Sequence, residues 1–103
     1  MRDKMRDQVL DDILRKVPRL VVRPTQDEYR VFRPNEEGKG SLWITRQRSG
    51  YRVVTTGTTH TIDSDIEKIA GKKGREMSDR AHRWWKGLSV DEAERVFQVL
   101  AQW

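Results

Sequence analysis

The stretch SLWITRQRSGYRVVTT, residues 41–56, decides the fold class of this chain. Apolar residues take alternate positions on both sides of its centre: Leu42 and Ile44, then Tyr51 and Val53. A period of two is that of a β-strand with one buried face. The centre, Arg48-Ser49-Gly50, ends in glycine, which is typical of a turn between antiparallel strands. The stretch therefore predicts a hairpin with strands at residues 41–47 and 51–56.

Two apolar segments before this hairpin extend the predicted sheet. Residues 20–22 are a short apolar run that stops before Pro24, and residues 28–33 alternate in the same way as the hairpin strands. After the hairpin, Gly57 allows a further turn into residues 59–62. Short β-branched runs separated by glycine and proline turns predict an antiparallel meander of four or five strands.

Helical patterns flank the predicted sheet on both sides. Residues 3–17 carry apolar side chains at three- and four-residue spacing, and Pro18 ends that helix. Two capping boxes, Ser64-Asp65-Ile66-Glu67 and Ser89-Val90-Asp91-Glu92, predict helices that begin at residues 64 and 89. Between them, residues 75–86 are predicted to be a third C-terminal helix, because a turn of 100° per residue gathers four apolar side chains on one face. Those side chains are Met77, Ala81, Trp84 and Leu88.

The overall composition limits the class of protein. The chain has 103 residues and no cysteine, so one domain is expected, without disulfides, thiolate–metal sites or cysteine nucleophiles. No apolar run approaches the length of a membrane span, and the charged start does not match a secretory signal, so a cytoplasmic protein is expected. Residues 1–103 are predicted to form one α+β domain with three C-terminal helices packed on the sheet.

Positive charge is concentrated in GKKGREMSDRAHRWWKG, residues 71–87, within a chain of net charge +5. The two glycines around Lys72 and Lys73 would let a ligand approach the backbone, and the start of the predicted helix would suit a phosphate. The order strand, helix, GxxG, helix is similar, over this segment, to the backbone clamp of KH domains. The predicted phosphate contacts are Lys72, Lys73, Arg75, Arg80, Arg83 and Lys86, with Arg30 and Arg52 from the sheet.

The outward face of the predicted sheet is the second candidate surface. Its members are Arg30, Phe32, Trp43, Thr45, Arg52 and Val54. Arginine and aromatic side chains on a sheet can stack on exposed bases. However, the three apolar members favour cover by a helix, and an open apolar patch would suit a protein partner as well as RNA.

These features predict a small, non-catalytic nucleic-acid-binding protein, for DNA or RNA, that needs no cofactor. An alternative is a protein-interaction module or inhibitor whose partner is an acidic or nucleic-acid-handling protein, bound through Phe32, Trp43 and Trp103. A third possibility is a small ribonuclease-like toxin that uses His60 as acid or base. The first helix could also pair with its own copy in a homodimer. Two distant histidines and scattered carboxylates do not predict a metal site.

Overall fold

The computed structural model describes residues 3–79 and 81–102, which form six strands and three α-helices. The helices are α1 (Gln8–Arg15), α2 (Asp63–Ala70) and α3 (Val90–Gln102). The strands are β1 (Val21–Pro24), β2 (Tyr29–Phe32), β3 (Leu42–Gln47), β4 (Gly50–Thr56), β5 (Arg75–Glu76) and β6 (His82–Leu88). All neighbouring strands are antiparallel, in the order β1-β2-β3-β4-β6-β5, and a 3-10 helix at Gly57–Ile62 connects β4 to α2.

One face of the sheet, the inner face, packs against all three helices. Its buried apolar strand residues are Tyr29, Val31, Leu42, Ile44, Tyr51, Val53, Trp85 and Leu88. The helices contribute Leu10, Ile13, Ile66, Val96, Phe97 and Leu100 to the same cluster. Full burial of one such side chain contributes about 1.5–3 kcal/mol, so this cluster holds the helices on the inner face. The outer-face residues Phe32 and Val54 are buried but lie outside the cluster.

A buried carboxylate fixes the start of α1 against the sheet. Asp7 accepts a hydrogen bond from the Leu10 backbone N–H (3.1 Å), which caps the helix, and it pairs with Arg46 (3.1 Å). The Tyr51 hydroxyl also donates to Asp7, at 3.3 Å from Oδ2. Burial raises the pKa of Tyr51, a shift that its hydrogen bond with Arg46 partly offsets. Since Asp7 is the cap, α1 begins at Gln8 instead of residue 3, the predicted start.

The structure confirms the N-terminal helix and the antiparallel arrangement of the four strands β1–β4. In the opening stretch, β3 and β4 pair from Leu42 opposite Thr55 to Gln47 opposite Gly50, so the predicted hairpin is present. Residues 59–62, the possible fifth strand of the meander, belong instead to the 3-10 helix. None of the helices in the described part of the chain is long and apolar enough to cross a bilayer.

The predicted helix at residues 75–86 is wrong, and the described part of the chain contains two C-terminal α-helices instead of three. This segment contains β5 and most of β6, and β6 pairs with β4 so that Trp85 stands opposite Val53 and Trp84 opposite Val54. Adjacent residues of a strand point to opposite faces. Trp85 is therefore in the core, 1% exposed, whereas Trp84 lies half-buried on the outer face. By pairing with β4, β6 provides hydrogen-bond partners for the backbone groups on the edge of β4. The spacing of apolar residues within the segment does not reveal this stabilisation, because it depends on a distant strand.

Candidate functional site

One residue from each strand forms a straight row across the outer face of the sheet. In sheet order the row is Arg23, Arg30, Trp43, Val54, Trp84 and Arg75, and each stands opposite the next in the strand register. Five strand intervals of about 4.8 Å make this cross-strand row about 24 Å long. It places arginine at both ends and two tryptophans in the middle, with buried Val54 between them.

Guanidinium groups lie over both tryptophans of the cross-strand row. Arg30 Cζ is 4.8 Å from the centre of the Trp43 ring, and the Cζ atoms of Arg52 and Arg75 are 5.4 Å and 5.6 Å from that of Trp84. Each exposed contact of this kind contributes about 0.5–1 kcal/mol. Both indoles remain half-buried, so the arginines screen them without sealing them from solvent.

Two further rings lie beside the row: Phe32, which is buried, and His82, which is half-buried. Arg23 Cζ lies 5.8 Å from the Phe32 ring centre, and the His82 ring is 5.1 Å from the Trp43 ring at an angle of 49°. His82 Nδ1 approaches Asp79 Oδ2 to 2.6 Å.

A groove of about 320 Å³ opens beside Trp43. It is lined by Arg23, Arg30, Phe32, Gly38, Gly40, Ser41, Trp43 and Thr56. The Trp43 Nε1–H donates to Ser41 Oγ (2.9 Å), and Ser41 N–H donates to Thr56 Oγ1 (3.0 Å). Gly40 has a φ of 142°, and a Cβ there would overlap the backbone of residues 56–58. The groove is thus lined by the Trp43 indole, by two arginines, by the largely buried Phe32 and by a loop that is held against the end of β4.

Basic groups on the outer face are only partly neutralised by acids. Arg23 pairs with Glu37, and Arg30 lies 3.4 Å from Glu28. Arg52 and Arg75 have no ion-pair partner within residues 3–79 and 81–102. Arg23 and Arg30 stand directly opposite each other, and like charges in that position destabilise a strand pair. An anion bound between them would relieve this repulsion.

The GKKG turn is shaped by packing. Gly71 ends α2 in the left-handed region (φ 73°), and a Cβ at Gly74 would lie 2.5 Å from the Trp85 ring. The Trp85 Nε1–H donates to Lys72 O (3.0 Å), and Lys72 Nζ donates to Lys86 O (2.6 Å). β5 follows the turn, so the predicted helix N-terminus for a phosphate is absent, and the KH-like order of elements is wrong.

Three of the predicted lysines nevertheless lie beside the cross-strand row. Lys72, Lys73 and Lys86 surround a small cavity of about 80 Å³ that Arg75 and Trp84 also line. The structure therefore brings these lysines to the β5 end of the row, where Arg75 and Arg52 already stand. Arg80 and Trp103, the remaining predicted contacts at this end of the chain, lie outside the described residues.

Arg83 and His60 lie away from the outer face. Arg83 points to the inner side of β6, where it is 3.5 Å from Glu76 and 3.8 Å from Asp63. His60 Nδ1 lies 3.2 Å from Asp63 Oδ2, and His60 Nε2 lies 2.7 Å from Ala81 O. Both ring nitrogens therefore already have partners within the chain. Within the described residues, no group of three or more histidine and acidic side chains has the arrangement of a metal site.

Sequence reasoning placed Arg30, Phe32, Trp43 and Arg52 on the outer face, but it missed Arg23, Trp84 and His82. The last two belong to β6, the segment that was predicted to be helical, and Arg23 joins the row only through the register of β1 with β2. Comparison with protein-family models, curated proteins and solved structures finds no match for the chain. Functional evidence therefore comes from the geometry of the outer face.

Proposed function

We propose that the protein binds nucleic acid across the outer face of its sheet. The observation that carries this proposal is the cross-strand row, which sets arginines and tryptophans in register on the face opposite the helices. Guanidinium groups match phosphate oxygens in a two-pronged geometry, and aromatic rings accept the faces of bases. The net charge of +5 adds a general attraction for a polyanion.

The arginines of the outer face would hold phosphates at two places. Arg23 and Arg30 serve one end of the row, and Arg52 and Arg75 serve the other, where Lys73 extends the basic surface. Trp43 and Trp84 lie between the two groups and face the bases. The protein needs no bound metal or catalytic group for this role, because affinity comes from charge neutralisation and stacking.

The test is a binding titration with a fluorescently labelled oligonucleotide at low and high salt. Four phosphates neutralised on a single strand, at about 0.7 each, give an expected log–log salt slope of about 3. Arg30→Glu and Arg75→Glu should each weaken binding and lower that slope by about 0.7, the contribution of one phosphate. The matched control is Arg95→Glu, because Arg95 is exposed on α3, which packs on the inner face.

Three results would contradict the proposal. The first is no binding at low salt, and the second is an equal loss in the Arg95→Glu control. The third is a partner protein captured independently of salt by a chain that binds no oligonucleotide, which would favour the protein-interaction alternative. Lys72→Glu combined with Lys73→Glu should weaken binding less than Arg75→Glu, because both lysines lie beyond the end of the row.

A further inference from the structure

We infer that the ligand is a single strand, whose bases stack on Trp43 and Trp84 while one base enters the groove beside Phe32. This inference rests on the proposed function and specifies its substrate class. It follows from the shape of the outer face, from the chemistry of the groove and from the spacing of the two tryptophans.

The shape of the outer face excludes a duplex from base contact. The sheet is about 24 Å wide across its six strands, whereas the major groove of B-DNA is about 12 Å wide and admits a helix or a two-stranded ribbon. The helices of the described chain pack on the inner face, so none of them is available to enter a groove from this side. A duplex would therefore offer only its phosphates, and Trp43 and Trp84 would meet no base.

The groove has the chemistry of a nucleotide site. It is lined by the half-buried Trp43 and the largely buried Phe32, together with Arg23 and Arg30. The volume of about 320 Å³ is at the low end of small-ligand pockets, which run from roughly 300 to 1,000 Å³. A base in the groove contacts the accessible face of Trp43, and its phosphate then lies near the opposed Arg23 and Arg30. The Ser41 hydroxyl is already engaged as the acceptor for Trp43, which keeps the indole in place.

The guanidinium groups over the indoles do not prevent stacking. An exposed guanidinium–ring contact is weaker than the stacking of a base on an aromatic ring, so a base displaces it with a net gain. Arg30, once displaced from Trp43, is free to pair with the adjoining phosphate. Arg52 and Arg75 can do the same at Trp84. Each arginine thus shields an indole in the free protein and holds a phosphate in the complex.

The distance across the outer face, from Phe32 to Arg75, sets the number of nucleotides that the site can hold. From Phe32 on β2 to Arg75 on β5 the sheet spans four strand intervals, or about 19 Å. The strand would run across the β-strands and cover on the order of four nucleotides, near the lower end of site sizes for single-strand binders. Trp43 and Trp84 stand two intervals apart with Val54 between them, so two separate stacking positions are expected.

The experiment compares three probes with the wild-type protein: single-stranded oligodeoxythymidine, a duplex of the same length, and inorganic polyphosphate. The single strand should bind at least tenfold more tightly than the other two and should quench tryptophan fluorescence, which polyphosphate should leave unchanged. Trp43→Leu and Trp84→Leu should each lose about tenfold in affinity for the single strand. Trp43→Phe and Trp84→Phe should retain most of it, because phenylalanine still stacks.

The outcomes distinguish failure of the single-strand inference from failure of the proposed nucleic-acid binding. If duplex and polyphosphate bind as tightly as the single strand without quenching, the single-strand inference is overturned while nucleic-acid binding stands. If none of the three probes binds at low salt, both fail. The probe comparison uses only the wild-type protein, so it decides the question even where a leucine variant does not fold.

Discussion

The two faces of the sheet carry the same kinds of residue, tryptophan and arginine, in different environments. Trp85 and Trp84 are neighbours on β6, yet the first is 1% exposed in the core and the second lies half-buried beside two arginines. Trp85 packs on Gly74 and donates to a backbone carbonyl. Trp84 is not part of the core cluster, to which the helices of the described residues contribute their buried side chains. Position on a strand, and not residue type, separates the structural tryptophan from the candidate binding one.

The same division applies to charge. On the inner face, charged groups are paired within the chain, as Asp7 is with Arg46 and Asp63 with Arg83. On the outer face, Arg52 and Arg75 have no acidic partner in the part of the chain that the structure describes. Neutralising the inner charges stabilises the fold, whereas Arg52 and Arg75, unlike the acid-paired Arg23 and Arg30, stay available to an external anion. Stability and binding should therefore respond to different substitutions.

The largest expected effect is that of Trp85→Ala on stability. Removing a fully buried indole should lower the free energy of unfolding by about 3–5 kcal/mol, a large part of the roughly 5–15 kcal/mol of a small domain. Trp84→Ala is the matched comparison and should cost clearly less, about 1–2 kcal/mol, because its ring lies outside the core and is only partly buried. Urea unfolding measures both. Equal losses in the two variants would show that the faces do not differ as described.

The next effect is that of Asp7→Ala, which removes the buried carboxylate of the inner face. It deletes the cap of α1 and leaves the Tyr51 hydroxyl without its acceptor, so a loss of about 3 kcal/mol is expected in urea unfolding. The control is Asp12→Ala, because Asp12 is exposed on the same helix and pairs only with nearby groups. Its loss should stay within about 0.5 kcal/mol. Comparable losses for both would contradict a special role for the Asp7 network.

Sequence patterns correctly predicted those helices and strands that are determined by neighbouring residues in the chain. The β3–β4 hairpin follows from alternation and a short turn, and α3 follows from a capping box that the structure contains: Ser89 N–H donates to Glu92 (2.8 Å), and Glu92 N–H donates to Ser89 (3.2 Å). The start of α2 was predicted less well. It begins at Asp63 as a continuation of the 3-10 helix, without a side-chain cap.

The helix prediction for residues 75–86 was wrong because the structure of this segment depends on pairing with a strand that is distant in the sequence. Its pairing partner is β4, some thirty residues earlier, and a register irregularity between Tyr51 and Val53 adjusts the fit. The candidate site depends on the same pairing, since Trp84 and Arg75 reach the outer face only as strand residues. The half of the row on β2, β3 and β4, which is Arg30, Trp43 and Val54, could be predicted because those strands alternate clearly in the sequence. Trp84 and Arg75 could not, because a helix pattern and a strand pattern overlap in their segment, and Arg23 could not, because its place depends on the register of β1 with β2.

The smallest expected effect is that of pH on stability through Asp79, which lies between β5 and β6 and close to His82. Partial desolvation would raise the pKa of Asp79, but the Ala81 backbone hydrogen bond and the nearby His82 outweigh it and lower that pKa below its ordinary value. A carboxyl whose pKa is lower in the folded state stabilises it above the ordinary pKa, and this contribution disappears as the pH falls through the folded-state pKa. Thermal unfolding should therefore show a small acid loss, below about pH 4, that Asp79→Asn removes. The exposed Asp91→Asn is the control and should leave the acid loss in place; an unchanged profile in Asp79→Asn would mean that this contact does not hold the hairpin.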